Sequence, residues 1–399
     1  ALRDVGAILG ERPGRVSAGP AASWGGEFRI GSTPVYAFLT REHIDEVSFA
    51  YHSMSKTTDL MIVRDTNSFA QDVAFGIRAV IAPANRIMPS HLRLRSVHGN
   101  FAVYESSPEG YFGLVDVGGY YTGPEGTDYE PSSAWLSSAL LNTGIVISLD
   151  RRASLGKAVG RWQALPPPEL YHLTPRGHIL SEAKIGETYQ AQVQMERPSY
   201  VLVKITWNPK LAATVDGKPA MLIHVTPGFG AVAVPSGKHD VVVRYQPGML
   251  RPLLLLLGVG LFVLSARTLD SHRTAKIETA LSTHLAEAGK RWVSPRIVAA
   301  AVIIASALVA LHPLFRGRLI SGHDALEYPP RLTEMARVLS EGHVPPVWAP
   351  DLGAGHGQPL FEFAPPLIYL VASPFRALGS GLADALQFGL ALLCFVGAF

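Results

Sequence analysis

Four apolar runs crowd the last two fifths of the chain, at 249–266, 297–315, 359–376 and 382–399. Apolar stretches of about 20 residues must be hidden from water, in lipid or in a protein interior, so these runs limit the possible folds more than any other feature. The second, uncharged from Ile297 to Phe315, predicts a transmembrane helix most plainly. The first predicts another if Arg251 and Arg267 snorkel to the interface. The third is broken at Pro365-Pro366 and reads as a transmembrane or re-entrant helix. The fourth reads as a truncated transmembrane helix, and with Ala1 at the other end the chain reads as a fragment open at both ends. Only 17% of residues are charged, against about 25% in soluble domains, which agrees with a membrane protein.

Charge sets the expected orientation. Residues 267–296 carry six basic and three acidic residues and read as a cytoplasmic linker, whereas 316–358 carry four basic and five acidic. The expected placement is therefore multi-pass in the plasma (inner) membrane, with 1–248 and 316–358 extracytoplasmic. The net charge of +3, without a basic run, excludes a nucleic-acid surface. Cys394 is the single cysteine, which excludes an intrachain disulfide and a cysteine metal site.

The region before the first run divides by periodicity. Residues 1–150 hold a helical pattern near Leu2–Glu11 and short strand-like runs at Ala79–Ala82 and Phe101–Tyr104, which predict a small α/β domain. Residues 151–188, with Pro166-Pro167-Pro168, read as a linker. From Tyr189 the period is two, and six strand-like runs between 189 and 245, with turns at Asp216-Gly217 and Ser236-Gly237, predict a β-sandwich over 189–248.

Candidate chemistry concentrates in 316–358. Asp324 and Glu327 follow the second run closely, and a carboxylate there can take a hydroxyl proton or hold a divalent cation against phosphate. The segment Pro329–Gly342 predicts an amphipathic helix, with Leu332, Met335, Ala336 and Leu339 on one face. His312, His323, His343 and His356 follow no metal-ligand spacing. Trp24, Trp135, Trp162 and Trp207 are candidates for sugar stacking or for core packing.

Two stretches carry a resemblance. Residues 200–247, with Val215-Asp-Gly-Lys218, Phe229–His239 and Tyr245-Gln-Pro247, resemble the last extracytoplasmic domain of bacterial YfhO-type membrane proteins. Residues 297–375 resemble the start of a membrane unit of the same class, also described as the pyruvoyl-tetrahydropterin-synthase-related membrane domain. Its matching motifs are Gly322-His-Asp324, Arg331, Gly342–Trp348, Gly353–Pro359 and Pro365–Tyr369. The resemblance implies transmembrane helices of GT-C type and a glycosyltransferase that moves sugar from a polyprenyl-phosphate donor to a cell-envelope glycan or lipid acceptor. It implies Asp324 as the catalytic carboxylate, base or ligand of any divalent cation, with Glu327 beside it as a second catalytic candidate that matches no family position, and His323, Arg331, Trp348, His356 and Gln358 as substrate contacts. The alternatives are a non-catalytic envelope glycan-binding or scaffold protein and a transporter of lipid-linked intermediates.

Overall fold

The computed structural model describes residues 5–6, 8–9, 12–49, 54–124, 126–150, 157–159, 176–265, 267, 295–312 and 325–398. The chain forms two units: residues 1–246 with 347–364, and residues 247–346 with 365–399.

In the first unit the strands, in chain order, are β1 (Arg15–Ser17), β2 (Arg29–Ile30), β3 (Thr33–Pro34), β4 (Ile77–Pro83), β5 (Arg93–His98) and β6 (Phe101–Glu105). There follow β7 (Phe112–Tyr121), β8 (Ile145–Ser148), β9 (Lys157–Val159), β10 (Gly177–Ile185), β11 (Thr188–Met195) and β12 (Ser199–Val203). The last five are β13 (Leu211–Val215), β14 (Lys218–Ala220), β15 (Leu222–Val225), β16 (Phe229–Val234) and β17 (Gly237–Tyr245). They make a β1-β4-β6-β5 sheet, a β10-β11-β17-β13-β14 sheet, and a β12-β16-β15-β8-β7-β9 sheet in which β12 also pairs with β7, closing a small barrel; β2 and β3 form a hairpin.

The six strands expected after Tyr189 are present, and their alternation explains them. On β11, Tyr189, Ala191, Val193 and Met195 are buried while Gln190 and Gln192 are exposed. The inner face meets Val201, Val203, Val232 and Val234 in one core. The opposite face of the barrel strands, with Leu202, Ile223, Val225 and Phe229, joins Leu60, Trp135, Leu136 and Ile145 in a second core. Residues 189–248 are thus not a separate sandwich. Val201 of β12 pairs with Leu114 of β7, and Val225 of β15 with Ser148 of β8, so the N-terminal region supplies strands to the same sheet.

Helices Lys56–Ile62 and Phe69–Phe75 carry serine caps: Ser55 accepts from the Thr58 N–H, and Ser68 from that of Gln71. The second helix ends at Gly76, whose φ of 66° is left-handed.

The second unit contains a helix over 250–265, Pro295–Leu311, Tyr328–Ser340, Leu367–Ala377 and Leu382–Ala398. Leu332 and Met335 of the expected apolar face are fully buried together with Val338, while Ala336 and Leu339 are half-buried, so the packed face of the Tyr328–Ser340 helix is turned toward Val338. That helix packs against Leu367–Ala377 and Leu382–Ala398.

The expected transmembrane architecture is overturned. Among the described residues no helix is long and apolar enough to cross a membrane. Within the described residues the apolar helices Pro295–Leu311 and Leu382–Ala398 comprise 17 residues each. The third run divides into Leu360–Phe363 and Leu367–Ala377 around Pro365-Pro366. The run over 250–265 is helical with Leu253 to Leu257 exposed. The GT-C-type membrane fold and the multi-pass inner-membrane placement of 1–248 and 316–358 therefore give way to a mixed α/β architecture. The expected linker residues 151–156, 160–175 and 268–294 lie outside the described residues.

Candidate functional site

The residues expected to touch substrate occupy three different settings. Asp324 and His323 lie outside the described residues. Glu327 is buried and ion-paired with Arg331 one helical turn on, so both are engaged in holding the start of the Tyr328–Ser340 helix. Trp348, His356 and Gln358 lie in the interior of the first unit.

Those last three sit on a segment, 347–364, that rejoins the first unit after about a hundred residues spent in the second. Its glycines are structural. Gly353, Gly355 and Gly357 have φ of 65°, 69° and 75°, and a Cβ on Gly357 would stand 2.6 Å from the Trp348 ring. Ala349 and Gln358 close the loop by exchanging backbone hydrogen bonds of 2.8 and 3.1 Å. Trp348 stacks on Tyr245 with centroids 4.9 Å apart. His356 stacks on Phe229 at 5.4 Å and meets Phe75 edge-on at 5.7 Å. Its Nδ1 is 2.7 Å from the Ala354 carbonyl, which only accepts, so Nδ1 carries the proton. Burial, helped by the Arg15 charge, drives the His356 pKa well below its usual value. Trp348, His356 and Gln358 are thus all enclosed in the first unit, His356 as a neutral imidazole.

Charged side chains fasten this segment. Arg15 is fully buried and donates from Nε to the Gly355 carbonyl at 2.8 Å, from Nη1 to that of Phe75 at 3.1 Å, and from Nη2 to that of Lys204. Lys184 donates to Asp45 Oδ1 at 2.5 Å, to Asp351 Oδ1 at 2.6 Å and to the Pro350 carbonyl at 3.1 Å. Tyr111 donates to Asp45 Oδ2 at 2.5 Å. Burial alone would lower the Lys184 pKa, but Asp351 and Asp45 outweigh it and hold the ammonium well above its usual range.

The open site lies elsewhere, at the carboxyl end of β1. β1 runs parallel to β4 on one side and makes a parallel bridge from Val16 to Glu46 on the other. The carboxyl ends of adjacent parallel strands, where loops diverge, are a recurrent ligand position. Two cavities meet there, sharing Pro20, Arg64 and Thr66. One, of about 320 Å³, is walled mainly by apolar groups, including Ala21, Ala22, Val47, Met61 and Ile62. The other, of about 100 Å³, presents Ser17, Trp24, Asn67, Asp72 and Arg86.

Buried charge shapes the walls. Glu46 lies beneath them, fully buried; its Oε1 accepts from the Ala18 N–H at 2.9 Å, and its Oε2 from those of Ser48 at 2.7 Å and Phe49 at 2.9 Å. Burial pushes its pKa up to about 7 against the pull of these hydrogen bonds. Arg64 donates to Asp72 Oδ1 at 2.5 Å; Asp72 Oδ2 accepts from Ser106 Oγ at 2.5 Å and lies 3.2 Å from His91 Nε2. Arg86 is exposed, with its guanidinium carbon 4.8 Å from the Trp24 ring centroid.

Sugar stacking has little room on these aromatics. A Cβ on Gly19 would lie 2.6 Å from three atoms of the Trp24 ring, so backbone already packs on that indole. Trp135 is buried and donates to the Ile145 carbonyl at 2.7 Å. Trp207 stacks on His224 at 5.1 Å, and Trp162 lies outside the described residues. No sequence motif marked Glu46, Arg64, Asp72 or Arg86; the serine caps at Ser55 and Ser68 were the readable signal for the helices that frame them.

No protein-family model, curated protein or solved structure matches the chain.

Proposed function

We propose that the first unit is a non-catalytic binding domain whose cleft takes a small amphipathic molecule, apolar along its body and polar at one end. The observation that carries this reading is the pairing of an apolar cavity of about 320 Å³ with a polar one of about 100 Å³ across the shared Arg64 wall. Such a size and lining suit a small ligand held by burial and oriented by a few polar groups.

The polar groups support binding over catalysis. Both Glu46 oxygens are engaged by backbone N–H groups, and both Asp72 oxygens by Arg64, Ser106 and His91. Both carboxylates are buried and engaged by neighbouring donors, which supports a positioning role over general acid–base work. The expected sugar transfer rested on Asp324, and the cleft supports the non-catalytic alternative instead, with an amphipathic ligand in place of a glycan.

Hexan-1-ol, a neutral probe with an apolar body, tests the reading through saturation-transfer NMR on the full chain. Binding is expected, and Ala22→Trp, an exposed substitution on the apolar wall, should abolish it without changing the thermal midpoint. Absence of binding, or equal binding to Ala22→Trp, refutes the reading.

A further inference from the structure

Resting on that reading, we infer that the polar end of the ligand is an anion, a carboxylate or a phosphate, recognised by Arg86. The polar cavity is lined by two guanidinium groups and one carboxylate. Arg64 and Asp72 neutralise each other at 2.5 Å, and their side chains are only 6% and 2% exposed. Arg86 makes no ion pair among the described residues, so its charge is the one left uncompensated in the cavity lining.

Geometry favours a ligand role for that charge. Arg86 lies on the connection between β4 and β5 and is held against Trp24, which restricts its long side chain before anything binds. Restricting a flexible donor in advance reduces the entropy lost on binding. Its planar fork matches a carboxylate or phosphate edge with two parallel hydrogen bonds. Ser17 and Asn67 line the same cavity and add neutral hydrogen-bonding groups, while the buried Asp72 carboxylate is already occupied. A cationic head would meet Arg86 as a like charge, and a neutral head would forgo the charge-assisted bond.

A series with one apolar body and four heads separates these cases: hexanoate, hexyl phosphate, hexan-1-ol and hexylammonium, titrated into the full chain at low and high salt. Either anion is expected to bind at least about fivefold more tightly than hexan-1-ol at low salt, the scale of one partly exposed charge-assisted contact. The order of the two anions names the head. Added salt should erode the advantage, and hexylammonium should bind most weakly. Arg86→Gln, at an exposed loop position, should bring the anions down to the alcohol. Equal affinity for alcohol and anions, or undiminished anion binding by Arg86→Gln, overturns the inference while the cleft reading stands. Failure of all four probes overturns both.

Discussion

Replacing Lys184 with Met tests the charged fastening of the 347–364 segment. The ammonium stands 2.5 Å from Asp45 and 2.6 Å from Asp351, with side-chain exposures of 9%, 3% and 6% for the three groups. At an effective dielectric of about 20, each pair attracts by about 6 kcal/mol before desolvation is subtracted. Met keeps most of the volume but leaves two buried carboxylates without their shared cation. Removing one partner of a buried ion pair costs about 3–5 kcal/mol, and that is the expected loss at pH 8. Burial already raises the Asp45 pKa against the pull of Lys184, and removing Lys184 raises it further. The variant's folded state therefore holds a proton that its unfolded state has released, so its stability falls as pH rises above the usual carboxylate range. Urea unfolding of the full chain, followed by tryptophan fluorescence at pH 5.5 and pH 8, should show a deficit at least about 1.4 kcal/mol smaller at the lower pH, one pK unit's worth. A loss below about 1 kcal/mol, or one independent of pH, would refute the reasoning.

Glu46 predicts a pH slope of its own. Its folded pKa is raised to about 7 from 4.5; its contribution is greatest below the unfolded value and declines as pH rises through the folded one, by up to about 3 kcal/mol. Urea melts between pH 4.5 and 8 should show this slope in the native chain and a flatter one in Glu46→Gln; an equal slope in both would assign it elsewhere. Trp348→Ala removes a fully buried ring stacked on Tyr245 and should lower stability by about 3–5 kcal/mol in the same melts, whereas a loss under about 1 kcal/mol would place that ring outside the core.

The strands after Tyr189 were legible because one face of each is buried and a period of two follows directly; the glutamines of β11 mark the outer side. β4 and β6 were legible as short apolar runs without alternation, β4 because nearly its whole length is buried. Pairing across 87 residues, as between Leu114 and Val201, or 77, as between Ser148 and Val225, was not legible: nothing local in β7 or β8 states that β12 and β15 will lie beside them. The apolar runs were visible, but their hydropathy does not set helix length. Pro365-Pro366, for one, divides the third run into two shorter helices. The glycines of Gly353–Gly357 mark a turn in the sequence without showing what it packs against. Here they admit left-handed backbone and a tryptophan ring where no Cβ fits. The cleft was hidden because Glu46, Arg64, Asp72 and Arg86 converge from four separate positions with no shared spacing.

The return of 347–364 to the first unit has a consequence for synthesis. Arg15 donates to a carbonyl 340 positions later in the chain, and Lys184 to a carboxylate 167 positions later. As the chain leaves the ribosome, residues 1–246 emerge complete in sequence but without part of the acceptor set of two cations destined for burial: Gly355 for Arg15, and Pro350 and Asp351 for Lys184. At about 5–20 residues per second, the acceptors follow after an interval on the order of ten seconds. Throughout it the nascent unit holds an open seat where Trp348 and His356 will lie, with apolar walls accessible to chaperones and to other nascent chains. A ribosome that stalls before codon 347 leaves that seat empty, and such a product is a natural substrate for quality-control proteases even though 246 consecutive residues of the unit are present.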